Sequence, residues 1–207
     1  MWIMETLSLL GVALGFATLS GINLYLTTFL AGMAIRFNWV NLADKYETLA
    51  VLENPWIIGV AGVLFLVEFF ADKIPWLDSS WDAVHTFIRP IGGTLLALTA
   101  LGEMDPAVSV IAALLGGGTT LITHASKAGG RLLINMSPEP VSNTVASLGE
   151  DGLVLGGLGL MAGAPVVAFF VFLAVVILAV WLSRRTWAVI RKGIRAIRKK
   201  GARSPAS

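Results

Sequence analysis

From residue 6 to residue 35 the chain carries no charged side chain, and from 152 to 183 it again carries none. About 20 apolar residues carry a helix across the hydrocarbon of a bilayer, so each run is longer than one crossing needs. No water-facing surface can be built from such runs. Composition points the same way, with 56% hydrophobic and 14% charged residues, against about 25% charged in a soluble domain. The expected fold is therefore all-α, a polytopic transmembrane helix bundle. The chain has no Cys, which excludes a disulfide framework, a thiolate metal site and a cysteine nucleophile.

Proline, glycine and charge divide the chain further. Spans are read at residues 6–35, 55–71, 83–101, 107–136, 142–163 and 165–183, six in all. The first is long enough to tilt or break, with Gly21 and Asn23 near its middle. Residues 38–54 suit a short interfacial helix, with Trp39 and Tyr46 as interface anchors. Residues 72–82 read as a membrane-surface loop. Pro90 with Gly92 and Gly93 predicts a kink in the third span. Pro138 and Pro140, flanking Glu139, must end the fourth helix. A turn at Gly163-Ala164-Pro165 is preferred to one helix over 152–183, because an interior proline costs ~3 kcal/mol or more.

Charge is unevenly spread. Arg184, Arg185, Arg191, Lys192, Arg195, Arg198, Lys199, Lys200 and Arg203 follow one another with no acid among them. This predicts a basic amphipathic helix over 184–200, frayed beyond Ala202, and a cytoplasmic anchor obeying the positive-inside rule. Contact with membrane lipid is a by-product, and no nucleic-acid partner is expected. The organisation expected is a transmembrane domain over 1–187 and a basic cytoplasmic tail over 188–207. Met1 to Glu5 shows no basic n-region or cleavage site, so the first run is expected to be a retained helix. An even span count then puts both termini in the cytoplasm, with the chain in a bacterial inner membrane. A homo-oligomer is left open.

Residues 19–26 (Leu19-Ser20-Gly21-Ile22-Asn23-Leu24-Tyr25-Leu26) resemble residues 127–134 (Lys127-Ala128-Gly129-Gly130-Arg131-Leu132-Leu133-Ile134). With three spans per half this suggests inverted repeats, about 6–104 and 106–187. Transporters often use that plan, with the site at the repeat interface.

Charged side chains inside a membrane cost a few kcal/mol on insertion scales and usually mark a site, a pathway or an internal ion pair. His124, Lys127 and Arg131 fall at i, i+3 and i+7, on one helix face, and Asn135 extends the stripe. A guanidinium there can meet an anionic group bidentately. Asn23 and Tyr25 of the first helix complete the expected ligand site. Counting outward from Glu139, Lys127 and the Glu150-Asp151 pair fall at similar depth, so a salt bridge across that hairpin is expected. Glu68 and Asp72, at i and i+4, join this charge network, and Lys73 and Arg89 make the same end of the bundle a polar vestibule. His85 reads as a structural residue in a surface segment. The spacings Gly11 to Gly15, Gly152 to Gly156 and Gly159 to Gly163 suit close helix packing. No Ser-His-Asp order, metal-ligand spacing or phosphate loop is visible, so no enzyme, metal or cofactor is expected.

The runs Thr123-His124-Ala125-Ser126-Lys127-Ala128-Gly129-Gly130-Arg131 and Asn135-Met136-Ser137-Pro138-Glu139-Pro140-Val141-Ser142-Asn143, with Phe70-Ala71-Asp72-Lys73-Ile74-Pro75, carry a likeness. They resemble the bacterial membrane family catalogued as domain of unknown function 4126, over residues 7 to 187. The resemblance implies a multi-span bacterial membrane protein and supports the repeat. It also implies Arg in the first repeat where this chain has Asn23. It implies no reaction or substrate.

Three readings remain. The first is a small transporter or channel-like protein that binds an anionic or phosphate-bearing solute or lipid headgroup. The second is a non-catalytic scaffold or accessory subunit whose charges form a closed network. The third, an enzyme acting on a lipid phosphate with His124 as acid or base, lacks an evident nucleophile.

Overall fold

A computed structural model of the chain describes residues 2–40, 42, 46–136 and 140–201. The chain is an all-α bundle of α1 (Trp2–Arg36), α2 (Pro55–Ala71), α3 (Pro75–Leu101), α4 (Pro106–Asn135), α5 (Pro140–Gly163) and α6 (Pro165–Gly201), with a 3-10 helix, Glu47–Glu53, before α2. Five of the helices are long and apolar enough to cross a membrane, and the 3-10 helix with α2, bent at 64°, makes a sixth candidate. Large apolar side chains such as Phe87 (75% exposed) and Leu114 (72%) point outward, the arrangement expected when lipid is the solvent.

Proline opens every helix from α2 to α6, where its missing N–H costs no hydrogen bond. Asn54 caps α2 and Asp105 caps α4, each side chain accepting from a backbone N–H two residues on, at 2.9 Å. The same rule moves one boundary. Residues 72–82 are not a surface loop, because Pro75 starts α3 and carries Asp78 and Asp82 into the bundle. Pro90 does not end α3, which continues to Leu101. The basic segment is not a separate helix either. No breaker stands between Ser183 and Arg184, so α6 runs on without a joint. The turn at residues 137–139, parts of the polar segment (41 and 43–45) and the end of the chain (202–207) lie outside the described residues.

α1 lies at the centre. Val12, Phe16, Leu19, Ser20 and Thr27 are buried, and every other long helix packs on it. It is not a straight rod. Asn23 has φ −149° and ψ 98°, an extended conformation between two helical arms. Before the break, Gly11 lies against Pro165 and Phe169, Gly15 against Met161 and Phe172, and Leu19 against Gly157. Asn23 itself reaches Asp151. This arm thus runs antiparallel to α5, away from the start of α6. After the break, Leu24 lies against Gly92 and Gly32 against Ile58, and Arg36 donates to the Glu53 carbonyl at 3.1 Å. The second arm therefore returns to the end of the bundle where α2 starts and where Thr48 meets the close of α3.

Two expectations change with this reversal. The start of α1 and the basic end of α6 stand at opposite ends of the bundle, because the reversal in α1 adds a pass and the count of passes is not even. The arm before Asn23 also runs alongside α4 in the same sense, with Ala17 bonded to Thr120 and Ile22 to Lys127. Residues 24–26 belong to the returning arm, which runs against α4, so only residues 19–22 depart from an inverted relation to residues 127–134.

Candidate functional site

A helix interrupted in hydrocarbon frees carbonyls that water cannot satisfy, at several kcal/mol each. At the break in α1 these are the carbonyls of Gly21 and Ile22. Arg89 of α3 donates Nη1 to both, at 2.9 Å each, and Lys127 of α4 donates Nζ to Ile22 at 3.1 Å. Carbonyls at a helix C-terminus carry partial negative charge, so cations are the fitting caps. Asn23 closes the other side. Its Oδ1 accepts from the Leu26 N–H at 2.9 Å, which caps the second arm, and its Nδ2 donates to Asp151 Oδ1 at 3.2 Å. Gly21 lets α1 approach α4 here, since a Cβ would collide with Thr123 Oγ1.

The cations are held in turn by acids. Arg89 Nη2 meets Glu68 Oε1 at 2.6 Å and Asp82 Oδ1 at 3.7 Å. Lys127 Nζ lies 3.4 Å from Glu68, 3.6 Å from Asp72 and 3.3 Å from Glu150. Arg131 meets Asp72 at 3.2 Å and Glu150 at 2.8 Å through Nη2. Its Nη1 donates to Asn143, and its Nε donates to Glu150 Oε1. Side chains of Arg89 and Glu68 are wholly buried, while Glu150 keeps 17% exposure.

The expected stripe on α4 is thus real, and its hairpin salt bridge forms between Lys127 and Glu150. Asp151 turns to Asn23 instead. Asn135 donates to Asp78 at 2.8 Å and to Ser79 at 3.0 Å, tying the end of α4 to the start of α3. Tyr25 does not face an open site. Its hydroxyl donates to His85 Nε2 at 2.9 Å, while His85 Nδ1 donates to the Trp81 carbonyl at 2.8 Å. His124 is fixed by its partners as the neutral Nε2–H tautomer. Arg89 can only donate, so Nδ1 accepts at 3.1 Å, and Nε2 donates to the Asp82 carbonyl at 3.0 Å. It adds no positive charge to the stripe.

Sequence reasoning missed Asp78, Asp82 and Asn143, left Arg89 at the margin and placed His85 on the surface. Asp78, Asp82, His85 and Arg89 repeat at i, i+4, i+7 and i+11, one helix face. That signal was hidden because the helix was begun at residue 83. Lys73 is not in the vestibule: it donates to the Phe69 carbonyl at 2.7 Å and lies over the Phe69 ring. Among the glycines proposed for packing, Gly11 and Gly15 serve that role, whereas Gly152, Gly156, Gly159 and Gly163 meet nothing within 4 Å.

Two cavities flank the network. One, of about 300 Å³, opens between α4, α5 and α6, with Leu153, Val175, Leu178 and Leu182 as apolar walls and Lys127, Arg131 and Glu150 at its polar end. The other, of about 180 Å³, lies between α3 and α4 and is lined by Asp82, Thr86 and Arg131. No group of His, Asp or Glu among the described residues has metal-holding geometry.

A bundle of apolar helices, exposing apolar side chains and enclosing an ion network at a broken helix, defines a multi-pass membrane protein. The family described as domain of unknown function (DUF4126) matches residues 10–185, and the chain belongs to it. No curated protein and no solved structure matches the chain.

Proposed function

We propose that the protein is a small transporter of a bacterial inner membrane, and that its working part is the break in α1 with the ion network around it. The observation that carries this reading is that side-chain cations from α3 and α4, not backbone N–H groups, hold the freed carbonyls of Gly21 and Ile22. A scaffold gains nothing from interrupting its central helix in hydrocarbon. Broken helices beside a cavity are the usual substrate-site architecture of secondary transporters. The positive-inside rule supports a cytoplasmic position for the basic end of α6.

The ligand class is an amphiphile with a phosphate or other anionic headgroup. Its tail fits the apolar walls of the larger cavity and its head faces Lys127 and Arg131. Every N–H of Arg131 is engaged within the chain, so an anion enters by exchange. Glu150, the most exposed of the ion-paired acids, is the partner it displaces. Dodecyl phosphate should raise the melting temperature of the purified protein more than inorganic phosphate does, and dodecyltrimethylammonium should not. Glu150→Gln should enlarge the dodecyl phosphate shift several-fold in apparent affinity. If neither the parent nor Glu150→Gln responds to either phosphate, the closed network of a scaffold is the better reading.

A further inference from the structure

The buried charges do not balance. Glu68, Asp72, Asp78 and Asp82 are buried against Arg89, Lys127 and Arg131, with both histidines bonded as neutral rings and with Glu150 and Asp151 half-buried at the margin. Ionising all four buried acids against the three buried bases would leave a net charge of −1 inside the bundle. Uncompensated charge in a low-dielectric interior is removed by neutralisation. The oxygens that lack a donor show where. Glu68 Oε2, Asp72 Oδ1, Asp78 Oδ1 and both oxygens of Asp82 are buried with no hydrogen-bond partner. Asp82 stands out. It is 4% exposed, its single cationic neighbour among the ion pairs is Arg89 at 3.7 Å, and it lines the cavity between α3 and α4.

We propose that Asp82 is a proton-binding site, loaded through the α3–α4 cavity, with Asp78 one helical turn nearer the bundle end as the preceding station. A proton from water forms an O–H bond on one Asp82 oxygen and cancels one surplus charge. The groups that face it from each element are Glu68 and Asp72 from α2, Asp78, His85 and Arg89 on α3, His124, Lys127 and Arg131 from α4, and Glu150 from α5. The three cations are held by other acids at shorter distance, so the proton is what Asp82 can gain. Such a site gives a transporter a coupling ion, and it goes beyond the anion reading, standing whether or not an anion binds.

Infrared spectroscopy of the purified full chain tests it, because a protonated carboxyl absorbs apart from carboxylate and amide bands. At neutral pH the parent protein should show a protonated-carboxyl band that fades on alkalinisation. Asp82→Asn should remove it, Asp78→Asn should move its pH midpoint, and Asp105→Asn, at an exposed cap, should leave it alone. If Asp82→Asn does not fold, Asp82→Glu should keep the band and shift its frequency. Absence of the band in the parent, or a band untouched by both Asp82 substitutions, overturns the proposal. The dodecyl phosphate melting shift reads Glu150 and Arg131 separately, so either idea can fail alone.

Discussion

Arg89 and Arg131 are both guanidiniums buried among carboxylates, yet they do different work. Arg89 spends Nη1 on two backbone carbonyls and a ring nitrogen, and Nη2 on Glu68, with no exposure at either end of that pair. Its partners are fixed by the course of the chain. Arg131 holds the side chains of Glu150, Asp72 and Asn143 as well as the Asp72 and Asn143 carbonyls, its partner Glu150 keeps 17% exposure, and it touches both cavities. One guanidinium locks a fold feature and the other holds contacts that can be exchanged. What separates the two is the carboxylate each one holds, sealed at Glu68 and partly open at Glu150.

Substitution can break this contrast. Arg89→Ala should cost the most, about 3–5 kcal/mol, since it leaves wholly buried Glu68 with only the longer Lys127 contact and leaves the Gly21 carbonyl at the break without its donor. Reversible denaturation in detergent micelles reads this, and a loss no larger than that of Arg131→Ala would erase the distinction. Arg131→Ala should cost about 2–3 kcal/mol, in the range of hydrogen bonds to charged groups, because Glu150 retains contact with its surroundings and with Lys127. The folded variant should also lose any stabilisation by dodecyl phosphate. Asn23→Ala should be mildest, about 1 kcal/mol for a lost cap. Hydrogen exchange at the Leu26 amide would rise if that cap matters, and unchanged protection would show that the cations alone hold the break.

Much of this site is legible in the sequence. Charge-free runs and proline positions announced the helices, and the i, i+3, i+7 spacing found the α4 face. The acids of α3 were lost because Trp76 and Pro75 next to aspartates look like an interfacial loop, although Pro75 at a first helical position signals a start. The partner choices of Asn23 and Asp151 depend on where α1 reverses, and a single extended residue leaves no periodic trace. The surplus of buried acid was also hidden. One helix shows His124, Lys127 and Arg131 in its spacing, whereas the acids of α2, α3 and α5 that outnumber the buried bases meet only in the fold.

α6 has a mechanical corollary. Its 37 residues span ~55 Å at ~1.5 Å per residue, while the hydrocarbon slab is ~30 Å thick. The surplus leaves the bilayer as a continuation of the same rod, and the wall of the larger cavity is part of that rod. Any tilt that widens the cavity must swing the charged tip as a lever, amplified by its distance from the pivot. A spin or fluorescent label near residue 195 would therefore report cavity opening from outside the lipid, without disturbing the network that governs it.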